Sequence, residues 1–184
     1  MTAPSASAEP LQLSNLSPAD VPDLFALCPG CVYWELPEEF EKSPPRAETM
    51  RLKREWIADH ASSRVVGKVA RKDGEVVGFV QFGPPALYPQ QLNYAAGPAS
   101  PDALLVTCLF VRPSFRGRGL ARSLLSLAEA AAREGGFAAI ETFPRKESDN
   151  NPSGPIELYV KAGFEILRDD IDFPLVRKLA PASP

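Results

Sequence analysis

Residues 109–122 read LFVRPSFRGRGLAR, four arginines and two glycines set directly behind a short apolar run. The run begins earlier, as ALLVTCLFV over 103–111, and its near-continuous apolarity fits a strand buried on both faces. Behind the turn, LARSLLSLAEAAAREGG (120–136) places Leu120, Leu124, Leu127, Ala128 and Ala131 along one side of a helix that Gly135-Gly136 stops. Strand, basic glycine turn and helix together are a physical recipe for holding phosphate. The first amides of a helix have no internal partner, and the helix dipole adds partial positive charge there. Gly117 and Gly119 let successive N–H groups converge and leave room for a ligand, while Arg116, Arg118 and Arg122 add charge. The spacing is neither that of a P-loop nor that of a dinucleotide fingerprint, which would need a third glycine further on. Read from spacing alone, the alternative is a basic surface turn with an ordinary helix behind it.

Outward from this stretch the periods alternate. Leu11, Leu13 and Leu16 suggest a first strand, and Ser17-Pro18-Ala19-Asp20 suggests the N-cap of a helix carrying Val21, Leu24, Phe25 and Leu27. A second helix is expected over 46–61, RAETMRLKREWIADHA, with Met50, Leu52, Trp56 and Ile57 as its apolar positions. VVGKVARKDGEVVGFVQFG reads as a hairpin around Asp73-Gly74, a strong turn signal. A proline-rich connection over 84–102 precedes the central strand. After the long helix come a strand over 137–143, a polar loop over 145–154, a short helix in IELYVKAG, and two last strands in FEIL and FPLVRKL. The order β-α-α-β-β-β-α-β-α-β-β implies an α/β domain with a mixed sheet. That domain is expected over 10–179, between a disordered lead at 1–9 and a trailing segment at 180–184.

Composition narrows the function classes. The chain has 184 residues, 45% of them apolar and 23% charged, which suits one globular domain with a proper core. Its net charge of −3 and pI near 5.3 disfavour a nucleic-acid partner, so the arginine cluster reads as a local site for a small anion. No apolar stretch approaches the length of a membrane span, and MTAPSASAEP lacks the features of a signal peptide, so a cytoplasmic location is the default expectation. Three cysteines make no disulfide framework.

Arg116-Gly117-Arg118-Gly119-Leu120-Ala121 resembles the Arg/Gln-x-x-Gly-x-Gly/Ala signature of the GNAT N-acetyltransferase superfamily. LFVRPSF is similar to that family's approach to the loop, and LYVKAGFEIL to its closing Leu-Tyr-x-x-x-Gly-Phe segment. The resemblance covers roughly 11–179. It implies a mixed, mostly antiparallel central sheet flanked by helices, with a splayed central strand pair. It also implies a CoA-dependent N-acyltransferase, with acetyl-CoA as the acyl donor and transfer by direct attack in a ternary complex. On this reading the backbone of Arg116, Gly117, Arg118, Gly119, Leu120, Ala121 and Arg122 holds the pyrophosphate. Leu109, Phe110 and Val111 carry the pantetheine arm, with the Leu109 amide polarising the acyl carbonyl. Tyr159 is placed to give a proton to the leaving thiolate. Where the family usually has an asparagine followed by an alanine, this chain has Pro152-Ser153-Gly154-Pro155, so Asn150 or Asn151 would have to substitute.

No carboxylate lies on the central strand between Leu104 and Val111, so the proton is relayed through water or a general base comes from elsewhere. The candidates are Glu35, whose aromatic neighbours would desolvate it, Glu141 on the next strand, and His60, which reads as a bystander on a polar helix. Tyr33, Trp34 and Phe40 suggest an apolar acceptor platform, and Glu35, Glu38, Glu39 and Glu41 an acidic rim. That combination leads to an expected small, cationic amine acceptor, over which Tyr88 and Tyr94 of the 84–102 loop could close. Cys28-Pro29-Gly30-Cys31 reads first as structural, with a redox pair or substrate contact as alternatives. No metal site is expected, since zinc would need four ligands and only Cys108 and His60 are left to add. Cys108 reads as packing. Two other functions stay open: the same fold with an aminoacyl-tRNA donor, using the basic tract at 42–54, and a non-catalytic CoA-binding module. A homodimer is compatible with the sequence.

Overall fold

The computed structural model describes residues 10–61, 66–147 and 151–180. The expected lead at 1–9, residues 181–184 of the expected trailing segment, and Asn150 lie outside the described residues.

One seven-stranded sheet organises the chain, in the order β1-β2-β3-β4-β5-β7-β6. The strands are β1 (Gln12–Asn15), β2 (Gly67–Lys72), β3 (Glu75–Gly83), β4 (Ala103–Val111), β5 (Ala139–Thr142), β6 (Glu165–Arg168) and β7 (Leu175–Leu179). The helices are α1 (Pro37–Glu41), α2 (Arg46–Ala61), α3 (Leu120–Glu134) and α4 (Ile156–Lys161). Only β4 and β5 run parallel, because α3 carries the chain back between them; every other neighbouring pair is antiparallel. The β2–β3 hairpin turns at Asp73 and Gly74, both with positive φ (50° and 81°), as the sequence pair predicts.

The two sheet faces carry separate cores. Leu124, Leu125, Ala128 and Ala132 of α3 pack with Val80, Leu109, Ile140, Tyr159 and Phe164 on one face. Val21, Trp34, Trp56, Ile57, Phe79, Leu105, Cys108 and Phe143 fill the other, under α2 and the segments before it. The helix expected from Ser17 does not form. Only 3-10 turns appear at Val21–Asp23 and Cys28–Gly30, with Ala26 at φ 58° between them. Pro18, Pro22 and Pro29 remove three amides from any ladder. Ser17 instead donates its amide (2.8 Å) and hydroxyl (2.6 Å) to Asp20 Oδ2, closing a turn.

β4 and β5 stay paired only from Ala103↔Ala139 to Val106↔Thr142. Beyond that point β4 continues to Val111 without a strand partner on that side, and a register shift opposite Gln81–Phe82 marks the place. The sheet therefore has a split at its centre, connecting one face to the other.

Candidate active site

The glycine turn sits where β4 ends. Gly117 and Gly119 have φ of 72° and 80°, and a Cβ on either would meet nothing within 4 Å. Only glycine holds that backbone without strain, and the space above it is open. The first bond of the α3 ladder runs from Ser123 N–H to the Gly119 carbonyl at 3.0 Å, so the amides of Leu120, Ala121 and Arg122 precede it. Arg116 Nε bonds the Val111 carbonyl (3.2 Å), Arg118 lies over the Phe115 ring (5.6 Å), and Arg122 reaches the Lys161 carbonyl (3.3 Å). Converging amides, open glycines and surrounding guanidiniums suit a pyrophosphate.

Within the split, a strap of chain over 151–154 lies against β4. The Leu109 amide donates to the Pro152 carbonyl at 2.8 Å, and the Ser153 hydroxyl to the Thr107 carbonyl at 3.1 Å. Tyr159, fully buried, donates its hydroxyl to the Ser153 carbonyl. Asn151 Nδ2 reaches the carbonyls of Gly154 (3.2 Å) and Phe143 (3.4 Å), so it pins the strap's own ends. The two groups expected to serve the acyl carbonyl and the thiolate, Leu109 N–H and Tyr159 O–H, are thus held by adjacent carbonyls of one strap. Burial raises the Tyr159 pKa well above the ordinary tyrosine value, which keeps the phenol protonated and able to donate.

On the opposite face of the sheet a cavity of about 700 Å³ opens against β4. Its walls are aromatic: Tyr33 and Phe40 on one side, Phe79 and Phe110 behind, Tyr94 and Phe173 beyond. Tyr33 and Tyr94 touch through their hydroxyls at 3.2 Å. Cys28, Cys31 and Cys108 also line it, all as free thiols. Burial pushes the Cys28 thiol up to about 12 and Cys108 well above its ordinary value, so neither is a ready nucleophile. Asn151 and Pro152 form the boundary with the split.

The acidic residues expected there are elsewhere. Glu35 is 3% exposed and does not line the cavity; its carboxylate pairs with buried Lys53 and accepts from Gln81 Nε2 at 2.6 Å. Glu141 is fully buried, accepting from Arg177 (2.6 Å) and from the Ser100 amide (2.7 Å), and so ties β5 to β7 and the preceding loop. Glu39 pairs with exposed Lys42, and neither Glu38 nor Glu41 reaches the wall. Trp34 is 1% exposed and stacks on Tyr94 at 5.3 Å, so it supports the wall from behind. Tyr88 is buried beside Trp56, and His60 stacks on Trp56 (4.5 Å) away from the cavity.

Lys53 is the one buried charge of α2. Thr49, Lys53, Trp56 and Ile57 are the buried positions of α2, and a lysine in that stripe signals a partner inside. Burial disfavours its ammonium, but the adjacent Glu35 carboxylate outweighs this and holds its pKa above the usual lysine value. Arg46 and Arg145, the other charged residues of the wall, carry no such signal, because long-range folding alone places both on one cavity. Among the described residues no cluster of His, Cys, Asp and Glu is placed to hold a metal ion, and no helix is long and apolar enough to cross a membrane.

Known proteins share this fold. A comparison with curated proteins gave no match. Among solved structures, the chain is similar to the PaiA N-acetyltransferase from Thermoplasma acidophilum in complex with coenzyme A. The two share 16% identity over 93% of this chain and 99% of that one, with a TM-score of 0.64. An N-acetyltransferase from Staphylococcus aureus Mu50 gives 15% identity over 94% and 99%, with a TM-score of 0.62. The GNAT family N-acetyltransferase YhbS from Escherichia coli, in complex with CoA, gives 21% over 98% and 85%, with a TM-score of 0.54. These likenesses show a shared fold. The sequence itself matches the profile of the Acetyltransferase (GNAT) family over residues 31–164, more than half of its length. The chain belongs to the GNAT acetyltransferase family, whose acyl donor is acetyl-CoA.

Proposed function

We propose that the protein is a CoA-dependent N-acyltransferase that moves acetyl from acetyl-CoA to a primary amine by direct attack in a ternary complex. The observation that carries this reading is the left-handed, open Gly117–Gly119 turn at the start of α3, just beyond the end of β4. Residues 116–122 hold the pyrophosphate by their amides. Leu109 N–H faces the acyl oxygen as charge builds there, and Tyr159 O–H protonates the departing sulfur. Both donors are released when the 151–154 strap yields the split to the acyl arm. Among the described residues no carboxylate lines the cavity, so the amine loses its proton to water. The rate is then expected to rise with pH along the acceptor's own titration. An enzyme-borne limb in the carboxylate or histidine range would contradict this.

The decisive experiment is calorimetric titration of acetyl-CoA into wild type, Gly119→Glu and Arg118→Ala, with thermal unfolding of each. Micromolar binding to wild type, abolished in folded Gly119→Glu and weakened about fivefold in Arg118→Ala, is expected. A wild type that does not bind acetyl-CoA sinks the reading. Tyr159→Phe should lower kcat by about a hundredfold or more while leaving acetyl-CoA affinity unchanged.

An aminoacyl-tRNA donor is not favoured. In the tract over 42–54, Lys42 pairs with Glu39, Arg51 with Glu48 and Glu55, and Lys53 is buried. Too little free basic surface remains for a polyanion. The intact glycine turn and Tyr159 favour catalysis over a CoA-sensing module.

A further inference from the structure

Every charged residue of the cavity wall is a cation: Arg46, Lys53 and Arg145, with no aspartate or glutamate among the described residues that line it. Lys53 is 3% exposed. An ammonium has three N–H donors, and Lys53 uses one on Glu35 and one on Gln81 Oε1, at 2.8 Å. One donor of a buried cation is therefore left over at the cavity. Glu35 balances the Lys53 charge, but no carboxylate among the described residues pairs with Arg46 or Arg145. Arg46 Nη2 makes a 3.3 Å bond to the Ala26 carbonyl, and the Arg145 guanidinium lies over the Phe173 ring at 5.6 Å. A cationic acceptor entering here would face two unbalanced guanidiniums and no counter-charge.

Resting on the acyltransferase reading, we infer that the acceptor is an anionic amine: a primary amine on an apolar, ring-sized body that also carries a carboxylate or a phosphate. The aromatic walls take the body, and Arg46 and Arg145 hold the anion. The spare Lys53 N–H donates to a polar atom of the bound acceptor. This reverses the expectation of a cationic acceptor drawn from Glu35, Glu38, Glu39 and Glu41, none of which lines the cavity. The wall pairs one sign of charge with apolar surface, which selects amino-acid-like molecules over polyamines.

Matched pairs test it. Phenylalanine against phenethylamine reads the carboxylate, tyramine phosphate against tyramine reads the phosphate, and cadaverine is the cationic control. With saturating acetyl-CoA, CoA release is expected to have kcat/KM about tenfold or more higher for the anionic member of one pair. The pair that responds identifies the anion. Arg46→Gln and Arg145→Gln should raise KM for that acceptor about tenfold, with KM for acetyl-CoA unchanged. Calorimetric binding of the same five amines to the CoA-loaded chain gives a readout independent of turnover. Preference for the amines without a carboxylate or phosphate, or no binding of either anion-bearing amine to a chain that does bind acetyl-CoA, overturns the inference. Failure to bind acetyl-CoA at all overturns the acyltransferase reading instead. The anionic amines would then be titrated into the CoA-free chain, where no binding also overturns the inference.

Discussion

Glu35 shows how a residue-scale reading can be right about burial and misplace its consequence. Its aromatic neighbours do desolvate it, but a buried carboxylate is retained only with a partner, and α2 delivers Lys53 and Gln81 is already on β3. The pair is a structural joint between the segment before α1, α2 and the sheet. Glu35→Ala should therefore destabilise the chain by about 3–5 kcal/mol, because Lys53 is left buried without its counter-charge. Glu35→Leu combined with Lys53→Met should recover most of that loss. Urea unfolding of the two variants decides. A stable Glu35→Ala with collapsed activity would return Glu35 to the role of catalytic base. Nothing in the residues near Glu35 names its partner, since Lys53 lies a loop and a helix away.

At the scale of elements, the chain is governed by two close approaches. Gly78 of β3 lets α3 sit directly on the sheet: a Cβ there would stand 3.0 Å from Leu124 Cδ1 and 3.0 Å from the Phe110 carbonyl. Gly78→Val should cost about 1–3 kcal/mol by prising α3 from β3, measurable as a lowered urea midpoint. The second approach is the strap over 151–154 against β4. Removing the Ser153 hydroxyl bond to Thr107 by Ser153→Ala weakens the closed strap by about 1 kcal/mol, so acetyl-CoA should bind about fivefold tighter. Equal affinity in calorimetry would mean that the strap does not compete with the donor. The strand, long helix, hairpin and α4 were all legible from period and turn residues. The strap was not, because its contacts to β4 cross more than forty residues and use backbone carbonyls that every sequence has.

For the whole molecule, Tyr88, Tyr94 and Tyr159 share one property: burial raises each phenol above the ordinary value of 10.0. The folded chain then holds those protons where the unfolded chain would release them. Stability from this source is complete below pH 10.0 and falls as pH rises above it. Alkaline titration at the tyrosinate absorbance should show these three ionising only together with unfolding followed by circular dichroism. Ionisation of all four tyrosines in a still-folded chain would contradict their burial. The order of the strands, the mixed sheet and the open glycine turn follow from the sequence alone, because hydrophobic period, helix stops and glycine freedom act over a few neighbouring residues. The first helix failed at that same local level, where three prolines outweighed an apparent cap. What only the tertiary structure decided is which side chains line the cavity. The split between β4 and β5, the Glu35–Lys53 pair and the placing of Arg46 and Arg145 on one cavity wall are set by packing between distant segments. That packing buried the carboxylates and left the cations on the cavity wall.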